Sequence, residues 1–313
     1  MRIGVDAMGG DFAPEAVVLG AIQAHKEIPE SIRIVLLGNK EQIVSIIEKQ
    51  GFPREAFDIV ATSQVIGMGD HPAKAFQHKP DSSLAVGFSM LAKGEIDGIA
   101  SAGSTGAMMV GAMYYIKPIS GIIRPGIASF LPICESKTGL LIDVGLNPDA
   151  RPDVLFQYAL LGTIYAKEVL GIEDPSVGLL NIGEEPEKGN LVAKNTFELL
   201  KESTSIRFVG NIEGNQLFDE NTADVIVCDG FVGNVVLKEA ESFHKLIKRR
   251  NISDPFFERF NFEHYGGTPV LGVNAPVIIG HGVSTATAIK NMILQTRKVI
   301  EAGLTEKIKE ALS

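Results

Sequence analysis

A chain of 313 residues, 45% apolar and 21% charged, reads as an ordinary globular protein with enough length for one large α/β domain. Its net charge of −9 excludes general nucleic-acid binding, so an acidic partner must dock on a local basic patch. The two cysteines, Cys134 and Cys228, sit in apolar runs and supply neither a disulfide framework nor a CxxC metal site, and no apolar stretch approaches the ~18 residues of a membrane span.

Strand and helix patterns alternate along the chain. Arg2–Asp6 predicts a strand that begins with no targeting segment before it, and Pro14–Ile28 a helix opened by proline. Strands at 32–37 and 57–61 and helices at 40–50 and 82–93 follow, then a strand over Gly98–Ser101 and a helix over Thr105–Tyr115. Ala128–Ile133 and Leu140–Val144 read as two strands of a hairpin turning at Glu135–Thr138. A helix at 152–170 leads to strands at 177–181, 206–209 and 225–228, with helices at 190–202 and 232–249. Late strands at 268–273 and 277–279 precede a final helix over Ser284–Ala302, with Ser284 as its expected cap. Such alternation predicts a largely parallel sheet with helices on both faces, a three-layer αβα sandwich over 1–313 with no composition break. A basic-aromatic segment at about 242–264 stands apart from it.

One device recurs five times: an apolar run ends in an acidic, amide or hydroxyl residue, then a glycine-rich loop, then a helix pattern. The instances are Val5–Asp11, Ile99–Gly106, Leu141–Asn147, Leu180–Asn190 and Val227–Asn234, with Gly280–Gly282 as a shorter sixth. Loops at the carboxyl ends of parallel strands form ligand crevices, glycine lets backbone approach a ligand, and a following helix N-terminus favours an anion. Together they predict a cleft for a phosphate-bearing ligand.

Lys188 is the sharpest residue, an ammonium in a flexible loop that can neutralise a phosphate or an oxyanion, against the plainer reading of a solvated lysine balanced by Glu184, Glu185 and Glu187. Asp229-Gly230-Phe231-Val232-Gly233-Asn234 joins a strand-end carboxylate, which is a cap in its plainer reading, to an uncharged amide donor. Asp6, Asp143 and Asp229 would repel phosphate directly, so they orient Lys188 or a backbone amide, cap helices, or bind a metal with substrate. Ser101–Gly106 has the look of a phosphate-cradling turn without a GxGxxG or Walker A pattern. His281 between two glycines is an acid/base candidate or a structural turn residue. Cys228, with no basic neighbour, reads as a buried strand cysteine. The 243–262 stretch carries Lys245, Lys248, Arg249 and Arg250 beside Phe256, Phe257 and Phe260. It fits a solvated helix end with core rings, a peripheral membrane contact, or a docking patch for an acidic protein.

The opening Met1–Asp11 with Ala13-Pro14, Ser101–Ala107, Arg124–Ala128, Asp143–Asn147, Gly178–Glu185, Lys188–Asn190, Asp229–Asn234 and Tyr265–Gly267 closely resemble, in order, the PlsX-type phosphate acyltransferase family of bacterial phospholipid synthesis. The resemblance departs at Phe12 and Leu146, and in a shorter stretch between Asn234 and Tyr265. It implies a fold like that of phosphotransacetylases and isopropylmalate dehydrogenases. It also implies a cytoplasmic homodimer, held peripherally at the inner membrane face, that moves a fatty acyl group from acyl carrier protein to inorganic phosphate. A membrane acyltransferase would then pass the acyl group to glycerol 3-phosphate.

On that footing Lys188 and Asn234 are the expected polar pair, with Asp229 or His281 assisting proton transfer; no cofactor or resident metal is needed. The expected phosphate- and substrate-binding set is Asp6, Gly9, Gly10, Ser101, Gly103, Ser104, Thr105, Gly106, Asp143, Asn147, Asn181, Gly183, Gly189, Asn190, Gly230 and Gly233. The competing readings are a phosphotransacetylase-like enzyme using acyl-coenzyme A, and a non-catalytic membrane scaffold that senses phosphate.

Overall fold

Apolar runs such as Ile34–Leu37 and Val225–Val227 are buried along their whole length, the mark of strands covered by helices on both faces. The computed structural model describes residues 1–312. In chain order the elements are β1 Arg2–Asp6, α1 Glu15–His25, β2 Arg33–Gly38, α2 Lys40–Lys49, β3 Phe57–Ala61, α3 Pro72–His78, α4 Ser83–Ala92, β4 Gly98–Ser101 and α5 Thr105–Gly111. Then come β5 Gly126–Pro132, β6 Thr138–Ile142, α6 Pro152–Glu168, β7 Ser176–Asn181, α7 Leu191–Glu202, β8 Arg207–Glu213, β9 Val225–Val227 and α8 Gly230–Arg249. The last are α9 Pro255–Glu258, β10 Thr268–Leu271, β11 Val277–Ile279, α10 Ala286–Glu301 and α11 Leu304–Ala311.

The chain forms two compact units. Among the described residues, the first comprises 1–119 and 262–305, the second 120–261 and 306–312. In the first, strands run β3-β2-β1-β4-β11-β10, all neighbours parallel except β10 with β11. Alternation along β4 sets the layers. Gly98 faces Thr296 and Ile300 of α10, while Ile99 meets Gly87 of α4. Each glycine leaves room for the side chain that faces it. In the second unit the order is β5-β6-β9-β7-β8, parallel except for the β5–β6 hairpin, and Gly162 of α6 lies against Val225. The architecture is thus a mostly parallel α/β sheet with covering helices.

Three local expectations change. Thr285, not Ser284, caps α10 by accepting from Ala288 N–H, while the Ser284 hydroxyl donates to the His281 carbonyl. The helix from Thr105 leaves α geometry at Ala112 and continues as a π turn to Ile116. The short helix α3 and the C-terminal α11 lack a long apolar period and are seen only in the structure.

Candidate active site

The six glycine-rich loops leave the carboxyl ends of β1, β4 and β11 in the first unit and of β6, β9 and β7 in the second. Within each trio the strands are adjacent, so their loops gather at one end of that unit.

In the second unit the β6 loop is organised by Asp143, which is fully buried. Its carboxylate accepts the backbone N–H groups of Ile127 at 3.0 Å, Leu146 at 3.1 Å and Asn147 at 2.6 Å. Burial raises the Asp143 pKa, and these donors hold it down in part. Asn147 donates its side-chain amide to the Pro125 carbonyl and the buried Tyr158 hydroxyl, and its own carbonyl accepts from Gly230 N–H at 2.9 Å. Asp143 and Asn147 therefore brace the loop beneath its surface. Of the roles open to that aspartate, the structure shows the holding of backbone amides. Tyr158 had no signal beyond its place in an apolar helix pattern, and sequence reasoning missed it.

The β9 loop hands directly into α8. Asp229 caps the helix, accepting from Val232 N–H at 2.8 Å. A side chain at Gly230 would press on Asn147 N and the Asp143 carboxylate, and one at Gly233 would collide with the Asp143 carbonyl, so only glycine lets α8 start this close to the β6 loop. Asn234 spends one amide proton on the Val144 carbonyl at 3.1 Å, leaving its second N–H for other acceptors. Cys228 is buried, and burial followed by the nearby Asp229 and Asp143 charges pushes its thiol well up, which removes it as a nucleophile.

The β7 loop presents Lys188. Asn181 accepts from Ile182 N–H and donates to the Lys188 carbonyl at 3.2 Å; Gly189 at φ +88° packs against it. Asn211 of β8 steadies the loop further by donating to the Glu185 carbonyl at 2.9 Å. The Lys188 ammonium stands 4.0 Å from Glu185, a loose half-exposed pair that leaves it available to a stronger anion. Asn190 caps α7, so two helix N-termini, those of α7 and α8, open at this end of the sheet. Asn181, Gly189, Asn190 and Asp229 line one half-open groove of about 290 Å³, together with apolar side chains of β7, α6, α7 and α8.

The first unit repeats the construction. Asp6 is buried and accepts from the Ser101 hydroxyl at 2.6 Å and Met8 N–H at 3.0 Å, while Ser101 Oγ accepts from Gly103 N–H at 2.9 Å. Burial raises the Asp6 pKa against the pull of Ser101 and Ser83, a further brace that sequence reasoning missed. Gly9 has no room for a side chain beside Ser101 Oγ and Gly103 N, and Gly10 takes φ +104° as Asp11 N–H reaches the Gly282 carbonyl. Ser104 caps α5 by accepting from Ala107 N–H, leaving Thr105 and Gly106 in its exposed first turn. His281 stacks on Phe262 at 4.7 Å between ring centres.

In the basic-aromatic segment Lys245, Lys248, Arg249 and Arg250 are all exposed, with Lys248 paired to Glu258. Phe256, Phe257 and Phe260 are half-buried: Phe256 packs edge-on to Phe260, which also meets Phe218. Phe243, Leu246 and Ile252 are the exposed apolar side chains there. Helix α9 is too short to form an amphipathic face, and Arg259 anchors its end by donating to the Cys134 and Lys137 carbonyls and the Thr138 hydroxyl.

This architecture is shared with solved phosphotransacetylases. The enzyme from Streptococcus pyogenes superposes with a TM-score of 0.67 at 19% identity over 96% of this chain and 94% of its own, and the EutD phosphotransacetylase from Staphylococcus aureus with 0.63 at 15% over 96% and 94%. At such identities the likeness concerns the fold. The sequence carries the rest: residues 1–307 match the family model described as fatty acid synthesis protein. The phosphate acyltransferase of Dictyoglomus thermophilum is 40% identical over 100% of this chain and 98% of its own, and that of Desulfitobacterium hafniense 41% identical over 100% and 98%. The chain belongs to the phosphate acyltransferase family and is an acyltransferase.

Proposed function

We propose that this protein transfers a fatty acyl group from the thiol of acyl carrier protein to inorganic phosphate, releasing acyl phosphate. The observation that carries the reading is the convergence of the Lys188 loop and two capped helix N-termini on one groove with a mostly apolar lining. Phosphate is its own nucleophile, so the reaction needs no serine or cysteine. A phosphate oxygen attacks the thioester carbonyl, the new C–O bond gives a tetrahedral oxyanion, the C–S bond breaks, and the departing thiolate takes up a proton. Lys188 and the second N–H of Asn234 oppose the oxyanion charge, and preorganised donors of this kind outweigh other terms in acyl transfer. Backbone amides at Gly230–Asn234 and at Asn190 hold phosphate. Asp229 serves the leaving thiolate.

The acidic chain meets an acidic carrier through Lys245, Lys248, Arg249 and Arg250. Among the described residues no helix is long and apolar enough to cross a membrane. In this reading the protein is a cytoplasmic homodimer resting on the inner membrane face, with Phe243, Leu246 and Ile252 as contacts beside the half-buried Phe256, Phe257 and Phe260. The product would pass there to a membrane acyltransferase acting on glycerol 3-phosphate. Incubation of the protein with acyl carrier thioester and phosphate, with mass detection, should yield acyl phosphate. Turnover of acyl-coenzyme A alone would make it phosphotransacetylase-like, and no consumption of either donor would favour a phosphate-sensing scaffold.

A further inference from the structure

The groove beside Lys188 has a chemical polarity that the transfer reaction alone does not require. Its polar lining is Asn181 at the end of β7, with Asn190 and Asp229 at the starts of α7 and α8. The rest of its lining is mostly apolar: the buried Leu155 and Leu179 together with Leu180, Val192, Ala193 and Val232. Ile182, which also lines it, is 79% exposed, apolar surface that water covers at a cost. A site for phosphate alone would be small and polar throughout. This one joins an anion-favouring end to a hydrocarbon-sized trough.

We propose that this groove is the acyl-chain subsite, seating the carboxyl-proximal methylenes of the acyl group while its reacting end lies at Lys188; the assignment rests on the acyl-transfer reading above. The groove, about 290 Å³ and half-open, has room for a run of methylenes and lets a longer tail leave through its open side. The Asp229 carboxylate of the polar lining is engaged by Val232 N–H and sits in the positive field of the α8 N-terminus, which moderates its repulsion of an anionic head. Val232 and Val192 become the residues that set how strongly chain length is read.

The test uses alkylphosphonates of two to twelve carbons, unreactive mimics of acyl phosphate, with binding followed by calorimetry. For the native protein each added methylene should tighten Kd by about threefold to fourfold until the groove is filled, then no further. Val232→Trp should flatten that dependence beyond the first few carbons, Val192→Phe should do so independently, and Val209→Trp, on the exposed side of β8 away from the groove, should keep it. Native affinity independent of chain length, or an unaltered slope in both groove variants, would overturn the proposal. So would tight binding of free pantetheine with no response to alkyl length, which would give the groove to the donor's arm. The acyl phosphate assay reports separately: a chain-length slope without acyl phosphate formation would sink the catalytic reading and keep the groove, and formation without a slope would do the reverse.

Discussion

Asp143 and Asn147 close a loop on each other: the Asn147 backbone N–H donates to the buried Asp143 carboxylate at 2.6 Å, and the Asn147 carbonyl takes the Gly230 N–H at 2.9 Å. Through this pair the end of β6 dictates where α8 begins. Asp143→Ala strands the N–H groups of Ile127, Leu146 and Asn147, and should cost about 3–5 kcal/mol by denaturant unfolding. Asp143→Asn keeps an acceptor and should lose less. A loss under about 1 kcal/mol for the alanine variant would show that the loop holds without the carboxylate.

Close approach at Gly233 gives a sharper case. A methyl group there meets the Asp143 carbonyl and the Cys228 sulfur, and the carbonyl belongs to backbone that cannot swing away. Gly233→Ala should destabilise by about 1–3 kcal/mol or more and lower acyl transfer with it. A Gly233→Ala protein with native Tm and native turnover would show that the β6 loop and α8 can separate freely.

Lys188→Ala and Asn234→Ala should each lower turnover by about 10²-fold or more, the size expected for removing a preorganised donor to an oxyanion. Lys188 is half-exposed and only loosely paired, so its loss should leave Tm nearly unchanged. Asn234 also holds the Val144 carbonyl, so Asn234→Ala should lose about 1 kcal/mol of stability as well. Near-native turnover in both variants would remove the pair from the mechanism.

Asp224 provides a pH-dependent test. It accepts from Ser176 N–H and hydroxyl and pairs with Lys137 at 3.2 Å. Burial pushes its carboxyl up, but the Ser176 and Lys137 contacts outweigh burial and leave the pKa below the ordinary value of 3.8. A depressed carboxylate contributes stability above its unfolded pKa and loses it as pH falls toward the folded one. Asp224→Asn should therefore cost about 1–2 kcal/mol at pH 7, with the gap to native narrowing as pH drops through 4. A gap that stays constant from pH 7 to pH 3.5 would mean that the charge is irrelevant there.

Reversing two charges among Lys245, Lys248, Arg249 and Arg250 should raise KM for the acyl carrier thioester, with the effect fading as salt is added. All four are exposed at the end of α8. A KM insensitive to both reversal and salt would place carrier docking on another surface.

The strand-loop-helix device was legible in the sequence because its parts are local. Buried strands need unbroken apolar runs, tight loops need glycine, and helix starts need caps, as at Asn190 and Asp229. Family membership was legible for the same reason, being carried by those loops. What each loop aspartate does was not. Asp6 and Asp143 look alike as strand-end carboxylates, and only strand order and burial show them turned inward to hold backbone amides, while Asp229 stays at the surface as a cap. The division of the six loops, three to each unit, follows from which strands pair, a long-range choice with no local code. The groove is of the same kind. Leu155, Leu179, Val192 and Val232 come from four separated elements, each an ordinary apolar residue of its own segment, and only their packing around the starts of α7 and α8 leaves a trough beside Lys188.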